Sequence, residues 1–132
     1  MTTRLPAVVT ALAGVLLAAC GSGDDAERRA RLGLPAPGHA PDAQRGATLY
    51  ASHCQECHGP GARGSDKGPP LLHGYYTPGH HADLAFYSAV RNGVVQHHWD
   101  FGDMPAQPQV RPEQVADITA HVRDLQRRHG LH

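Results

Sequence analysis

Five residues, Cys54-Gln55-Glu56-Cys57-His58, limit what this chain can fold into more than any other feature. Two cysteines with two residues between them, followed directly by histidine, form the attachment pattern of c-type haem. That spacing sets the sulfurs a turn apart, matching the two vinyl groups of protoporphyrin. It also brings His58 beneath the iron as an axial ligand. A zinc ribbon would need a second pair of ligands at metal spacing. No further cysteine follows, although histidine is plentiful. A thioredoxin-type pair expects a βαβ context. A plain Cys54–Cys57 disulfide suits an oxidising compartment but leaves a thin core unexplained. That core is thin because the chain has 132 residues, of which 40% are apolar and 5% aromatic. So short a chain holds one domain at most. Small domains bury a smaller share of their surface and usually need a staple such as a metal or cofactor.

Charge narrows the function classes. Lys and Arg number 12, as do Asp and Glu. A nucleic-acid partner calls for a basic excess, which is missing. Mean hydropathy is −0.43, and no apolar run reaches the length of a membrane span.

The third cysteine, Cys20, has its own context. Arg4 precedes an apolar stretch from Leu5 to Ala18, the layout of a secretory signal. Leu17-Ala18-Ala19-Cys20 resembles the bacterial lipobox. The resemblance implies cleavage before Cys20 and lipidation of its sulfur, giving an anchor in the cell envelope. Gly21 lacks the acidic character of a Gram-negative inner-membrane retention signal. Residues 1–19 are thus expected to be a lipoprotein signal peptide. Residues 20–41, charged and then rich in Pro and Gly, would be the lipidated N-terminus and a flexible tether spanning about 25 Å. A short helix over Asp24–Leu34 is compatible with that composition, with acids first and arginines later.

From Asp42 to His132 the pattern is helical. Asp42 is a helix cap, with Gln44 to about His53 following and Ala47, Tyr50, Ala51 and Cys54 on one face. A second helix spans Ala82–Arg91, closed by Gly93. A third starts at Pro112 and carries Val115, Ile118, Val122 and Leu125 towards Gly130. Arg111 is a poor cap, so that start is expected to fray. No stretch alternates long enough for a sheet. Residues 59–81 and 93–110 are loops long enough to need an object to wrap around.

The stretch Arg45-Gly46-x-x-Leu49-Tyr50-x-x-x-Cys54-x-x-Cys57-His58-Gly59 resembles the first helix and haem site of class I monohaem cytochromes c. Gly68-Pro69-Pro70-Leu71 resembles that family's proline loop, Gly102-Asp103-Met104-Pro105 its methionine loop, and residues 118–125 its last helix. The resemblance implies an all-α cytochrome c fold, three to four helices with long loops around one covalent haem c. It implies thioethers at Cys54 and Cys57, and iron ligation by His58 and Met104. The Pro69 carbonyl would hold the Nδ1–H of His58, and Gly46 and Tyr50 would form the crossing of first and last helices. His121 stands where the family usually has an aromatic. Leu71, Tyr75, Trp99 and Phe101 are expected to line the haem slot. Trp99 reads as a core aromatic, and the resemblance implies that such a residue also donates to a haem propionate, with Arg91 and Tyr75 or Tyr76 as weaker candidates.

Both axial positions filled means no open place for substrate, which points to electron transfer and not catalysis. The expected protein is a monomeric, membrane-tethered carrier facing the periplasm or cell exterior. Its partners would be an oxidase, a quinol-oxidising complex or a dehydrogenase. Two alternatives compete: a haem sensor in which Met104 lets go, and a metal-handling lipoprotein. The second rests on His80-His81 and His97-His98, which have the chemistry to bind copper or to replace Met104. Exposed-loop histidines are more often simply solvated.

Overall fold

A computed structural model describes residues 22–132; the expected leader and Cys20 lie outside the described residues. The architecture is all-helical: α1 (Ser22–Leu32), α2 (Ala43–His53), α3 (Gln55–His58), α4 (Asp83–Asn92) and α5 (Pro112–Arg128). Single 3-10 turns lie at Pro60–Ala62 and Gly74–Tyr76. No described helix is long and apolar enough to cross a membrane.

The frame is the crossing of α2 and α5. Asp42 caps α2, its carboxylate accepting from the amides of Gln44 and Arg45 at 2.8 Å. At Gly46 a Cβ would lie 1.9 Å from the carbonyl oxygen of Asp117, so only glycine permits this approach. One turn on, Tyr50 is 2% exposed, and its ring meets His121 at 5.6 Å between centroids. His121 therefore fills the place of an aromatic, and the helix contact is ring against ring. The Tyr50 hydroxyl donates to the carbonyl of Gly59 at 2.9 Å, tying the crossing to the chain just past His58. From α5, Val115, Ile118 and Val122 are buried at the spacing the sequence predicts. Burying each such side chain contributes roughly 1.5–3 kcal/mol. On α2 the inward face is Gly46 and Tyr50, flanked by Leu49; Ala51 is exposed.

Two expectations change. The start of α5 does not fray: Gln114 Oε1 accepts from the Arg111 amide at 2.9 Å, capping the helix from within. The flexible tether assigned to residues 20–41 also gives way. It contains α1, and beyond it Leu34 packs on the core and Pro35 is buried. His39 reaches Asp117 at 3.2 Å, and the Ala36 amide donates to Glu113 at 3.4 Å. The packed unit thus begins well before Asp42, because apolar Leu34 and Pro35 interrupt an otherwise polar stretch.

Asp117 is the hub of that junction. It is 4% exposed and accepts from Arg45 Nε at 2.9 Å, Arg45 Nη2 at 3.0 Å and the Asp42 amide at 2.8 Å. Burial by itself would raise its pKa. The hydrogen bonds from Arg45, Asp42 and His39 win and hold it below the ordinary carboxylate value.

Candidate functional site

The helix breaks at Cys54, where φ −122° and ψ −33° end α2, and α3 restarts at once. This break turns the Cys-x-x-Cys-His segment across the end of the frame. The amide of His58 still bonds the Cys54 carbonyl at 2.9 Å, so the five residues form one closed turn. Residues 59–72 then loop behind His58. The Gly64 amide donates to the His58 carbonyl at 2.7 Å, and Ser65 Oγ to the Cys57 carbonyl at 2.6 Å. The loop delivers Pro69, whose carbonyl lies 2.9 Å from His58 Nδ1. A carbonyl can only accept, so Nδ1 carries the hydrogen and Nε2 keeps its lone pair. Burial holds the His58 pKa below its ordinary value, against the opposing pull of the Pro69 bond. The neutral, ligating form is thus favoured.

His58 opens on a cavity of ≈ 450 Å³. Cys54, Cys57 and His58 line it together with Trp99, Phe101 and Met104. Pro69, Leu71 and residues of α4 complete an apolar wall. Burial pushes the Cys54 thiol up to about 11, with neighbouring Cys57 adding to the shift; Cys57 is exposed. Met104 is held by its backbone, paired with Val94 in an antiparallel bridge.

The cavity's donors suit a porphyrin. Trp99 Nε1 is buried and has no hydrogen-bond partner among the described residues, an arrangement that costs about 1–3 kcal/mol unless something else accepts. Burial raises the Tyr76 pKa and proximity to Trp99 lowers it, yet the Tyr76 hydroxyl does not meet hydrogen-bond geometry with that N–H. A propionate is an acceptor of the right kind for this orphan donor. The family model described as Cytochrome c matches residues 43–126. The chain belongs to the cytochrome c family. Comparison with curated proteins gave no match, and comparison with solved structures gave none either. The family cofactor is haem c, bound covalently, and Cys54 and Cys57 have the spacing it requires. As a cytochrome c domain the chain is a haem-based electron carrier.

Most residues singled out in the sequence meet at this cavity: Cys54, Cys57, His58, Pro69, Leu71, Trp99, Phe101 and Met104. Tyr75 does not. It is 41% exposed and stacks on the lining residue His98, 4.4 Å between centroids, while Tyr76 takes the lining position. The 3-10 turn at Gly74–Tyr76 decides which of the adjacent tyrosines faces inward. Arg91 is also absent from the cavity. Its guanidinium caps α1, donating to the carbonyl of Ala30 at 3.3 Å and to that of Arg31.

Sequence reading missed the residues that hold the cavity's loop in place. Gln126, 1% exposed, donates to the carbonyls of Leu71 at 2.9 Å and Tyr76 at 3.0 Å. Arg123 donates to Asp83 Oδ1 at 2.7 Å, to the Tyr76 and His81 carbonyls at 2.5 Å each, and lies 4.9 Å over the Phe86 ring. The available signal was two polar residues in register with the apolar stripe of α5.

Proposed function

We propose that this cytochrome c is a monomeric single-haem carrier, anchored outside a bacterial membrane by lipid on Cys20. It would pass one electron at a time from a quinol-oxidising complex or dehydrogenase to an oxidase or comparable acceptor. It is not itself an enzyme. The observation that carries this reading is that His58 and Met104 line one cavity with both cysteines of the attachment motif.

Bound haem supplies the one-electron couple. The protein's part is to fix that couple's surroundings. Cys54 and Cys57 would hold the cofactor through thioethers, which prevents its loss outside the cell. The Pro69 carbonyl sets the ring plane of His58 and makes its Nε2 a better donor. Met104 would offer a soft thioether that favours the ferrous state and so raises the potential. The apolar wall keeps water away and the reorganisation between states small. Trp99 would donate to a propionate.

Exposed Cys57, with Glu56 and Lys67 paired at 2.8 Å beside it, marks the rim where a partner would dock. Redox encounters bury less than about 1,200 Å². Zero formal net charge limits long-range steering, so such rim charges would select the partner.

One substitution and one mass measurement test the reading in cells that attach haem. Met104→Ala should retain covalent haem, abolish the weak far-red sulfur-to-iron band and lower the potential. Retention of that band rejects Met104 as ligand. Mass spectrometry of the membrane-purified protein should show an acylated Cys20 at its N-terminus; an unmodified Cys20 rejects the lipid anchor.

A further inference from the structure

Beyond the haem site, two loops far apart in sequence bring His80, His81 and His98 together. One potential ligand nitrogen from each lies within 4.8 Å of the others. His80 Nε2 and His98 Nε2 are 3.2 Å apart. A tetrahedral site with metal–nitrogen bonds of about 2.0–2.1 Å places its ligand nitrogens about 3.3 Å apart. One edge of such a site therefore already has its proper length.

The surroundings orient the rings as metal ligands need. His81 Nδ1 sits against the Tyr75 carbonyl, so its hydrogen is on Nδ1 and Nε2 is left with the lone pair. A backbone carbonyl behind the non-ligating nitrogen is the usual support of a metal-bound histidine. Tyr75 stacks flat on His98, 20° between planes, and fixes that ring. His97 adds a further imidazole, its Nδ1 donating to the Val95 carbonyl at 2.9 Å and its ring 4.3 Å from that of His98. His80 and His98 are within hydrogen-bond distance of one another, a contact that one cation between the two lone pairs would replace.

We propose that His80, His81 and His98 bind a divalent transition cation of the imidazole-preferring kind, zinc or copper, at a second metal site beside the haem cavity. The cation would clamp the loop of residues 73–81 to residues 94–104, the segment that carries Trp99 and Met104. His81 and His98 also line the cavity, so the two sites share a wall. The proposal stands apart from the reading of the haem site, since none of its ligands is needed for haem attachment.

The test is calorimetric titration of zinc into the haem-loaded full-length protein, with the haem spectrum recorded on the same sample. One zinc per chain is expected. His80→Ala and His98→Ala should each weaken binding at least about 100-fold, since even losing a partner behind a ligand costs 10–100-fold. His132→Ala, at the exposed C-terminus, should bind like the parent. Absence of saturable binding overturns the proposal. So does parent-like binding by both His80→Ala and His98→Ala, or loss confined to His132→Ala. Haem bands read separately, so failure of the zinc site cannot be confused with failure of the carrier reading.

Discussion

Val94 and Met104 donate to each other's carbonyls across two backbone hydrogen bonds, both 2.9 Å, in the only β-type pairing among the described residues. This pairing closes residues 95–103 into a loop, and Asp103 and Gln96 brace it with bonds to the Gln96 and Gly102 amides at 3.0 and 2.8 Å. Met104 thus reaches the cavity from a fixed backbone.

Gly93 lies beside that bridge, at φ +75°, where a Cβ would come within 2.5 Å of the Met104 carbonyl oxygen. With ψ −176° this is an extended positive-φ conformation that essentially only glycine adopts, so Gly93→Ala should cost about 1–3 kcal/mol from the backbone alone. It should also push Met104 back, weakening the far-red sulfur-to-iron band. Absorption and denaturant midpoints check both; an unchanged band would mean that the bridge does not position the thioether.

Gly46→Ala forces a methyl onto the Asp117 carbonyl, 1.9 Å from the ideal Cβ. The α2–α5 crossing cannot yield locally, because Tyr50 and Val122 are fully packed behind it. A loss of about 1–3 kcal/mol or more is expected, seen as a lower denaturation midpoint of haem-loaded protein. An unchanged midpoint would show that the helices part without cost.

Asp117 governs the acid limit of stability. Its folded pKa lies below the ordinary value, and the unfolded value is about 3.9. Its contribution is therefore complete above about pH 4 and is lost as pH falls through the folded pKa. Asp117→Asn should be less stable near neutrality by about 1–3 kcal/mol, discounted because Arg45 is half-exposed. It should also show a shallower loss between pH 4 and 2. Thermal unfolding across that range decides; parallel curves for parent and variant would remove Asp117 from the acid limit.

Gln126→Leu keeps the volume and removes the donor to the Leu71 and Tyr76 carbonyls. The expected cost is about 1–3 kcal/mol, with faster amide exchange over residues 71–76 and haem still attached. Unchanged exchange there would mean that Arg123 alone secures the loop.

Helix positions and the haem motif were legible in the sequence because they are local. Asp42, the stripe Val115–Ile118–Val122 and Gly93 announce helix starts, faces and stops through spacing and capping chemistry. Cys54, Cys57 and His58 declare their chemistry within five residues. The resemblance extended this to Pro69, Trp99 and Met104, and the structure brings all three to one cavity.

What folding alone decided depends on partners distant in sequence. Adjacent Tyr75 and Tyr76 are chemically alike, and only the turn at Gly74–Tyr76 determines which faces the cavity. Arg91 could not be seen as a cap for α1 until the two were packed together. His39 and Asp117, or His80 and His98, carry no mutual signal along the chain. Periodicity fixes which way a residue points on its own helix. The burial of Asp117, Arg123 and Gln126 is permitted only by carbonyls and charges that other segments bring to them.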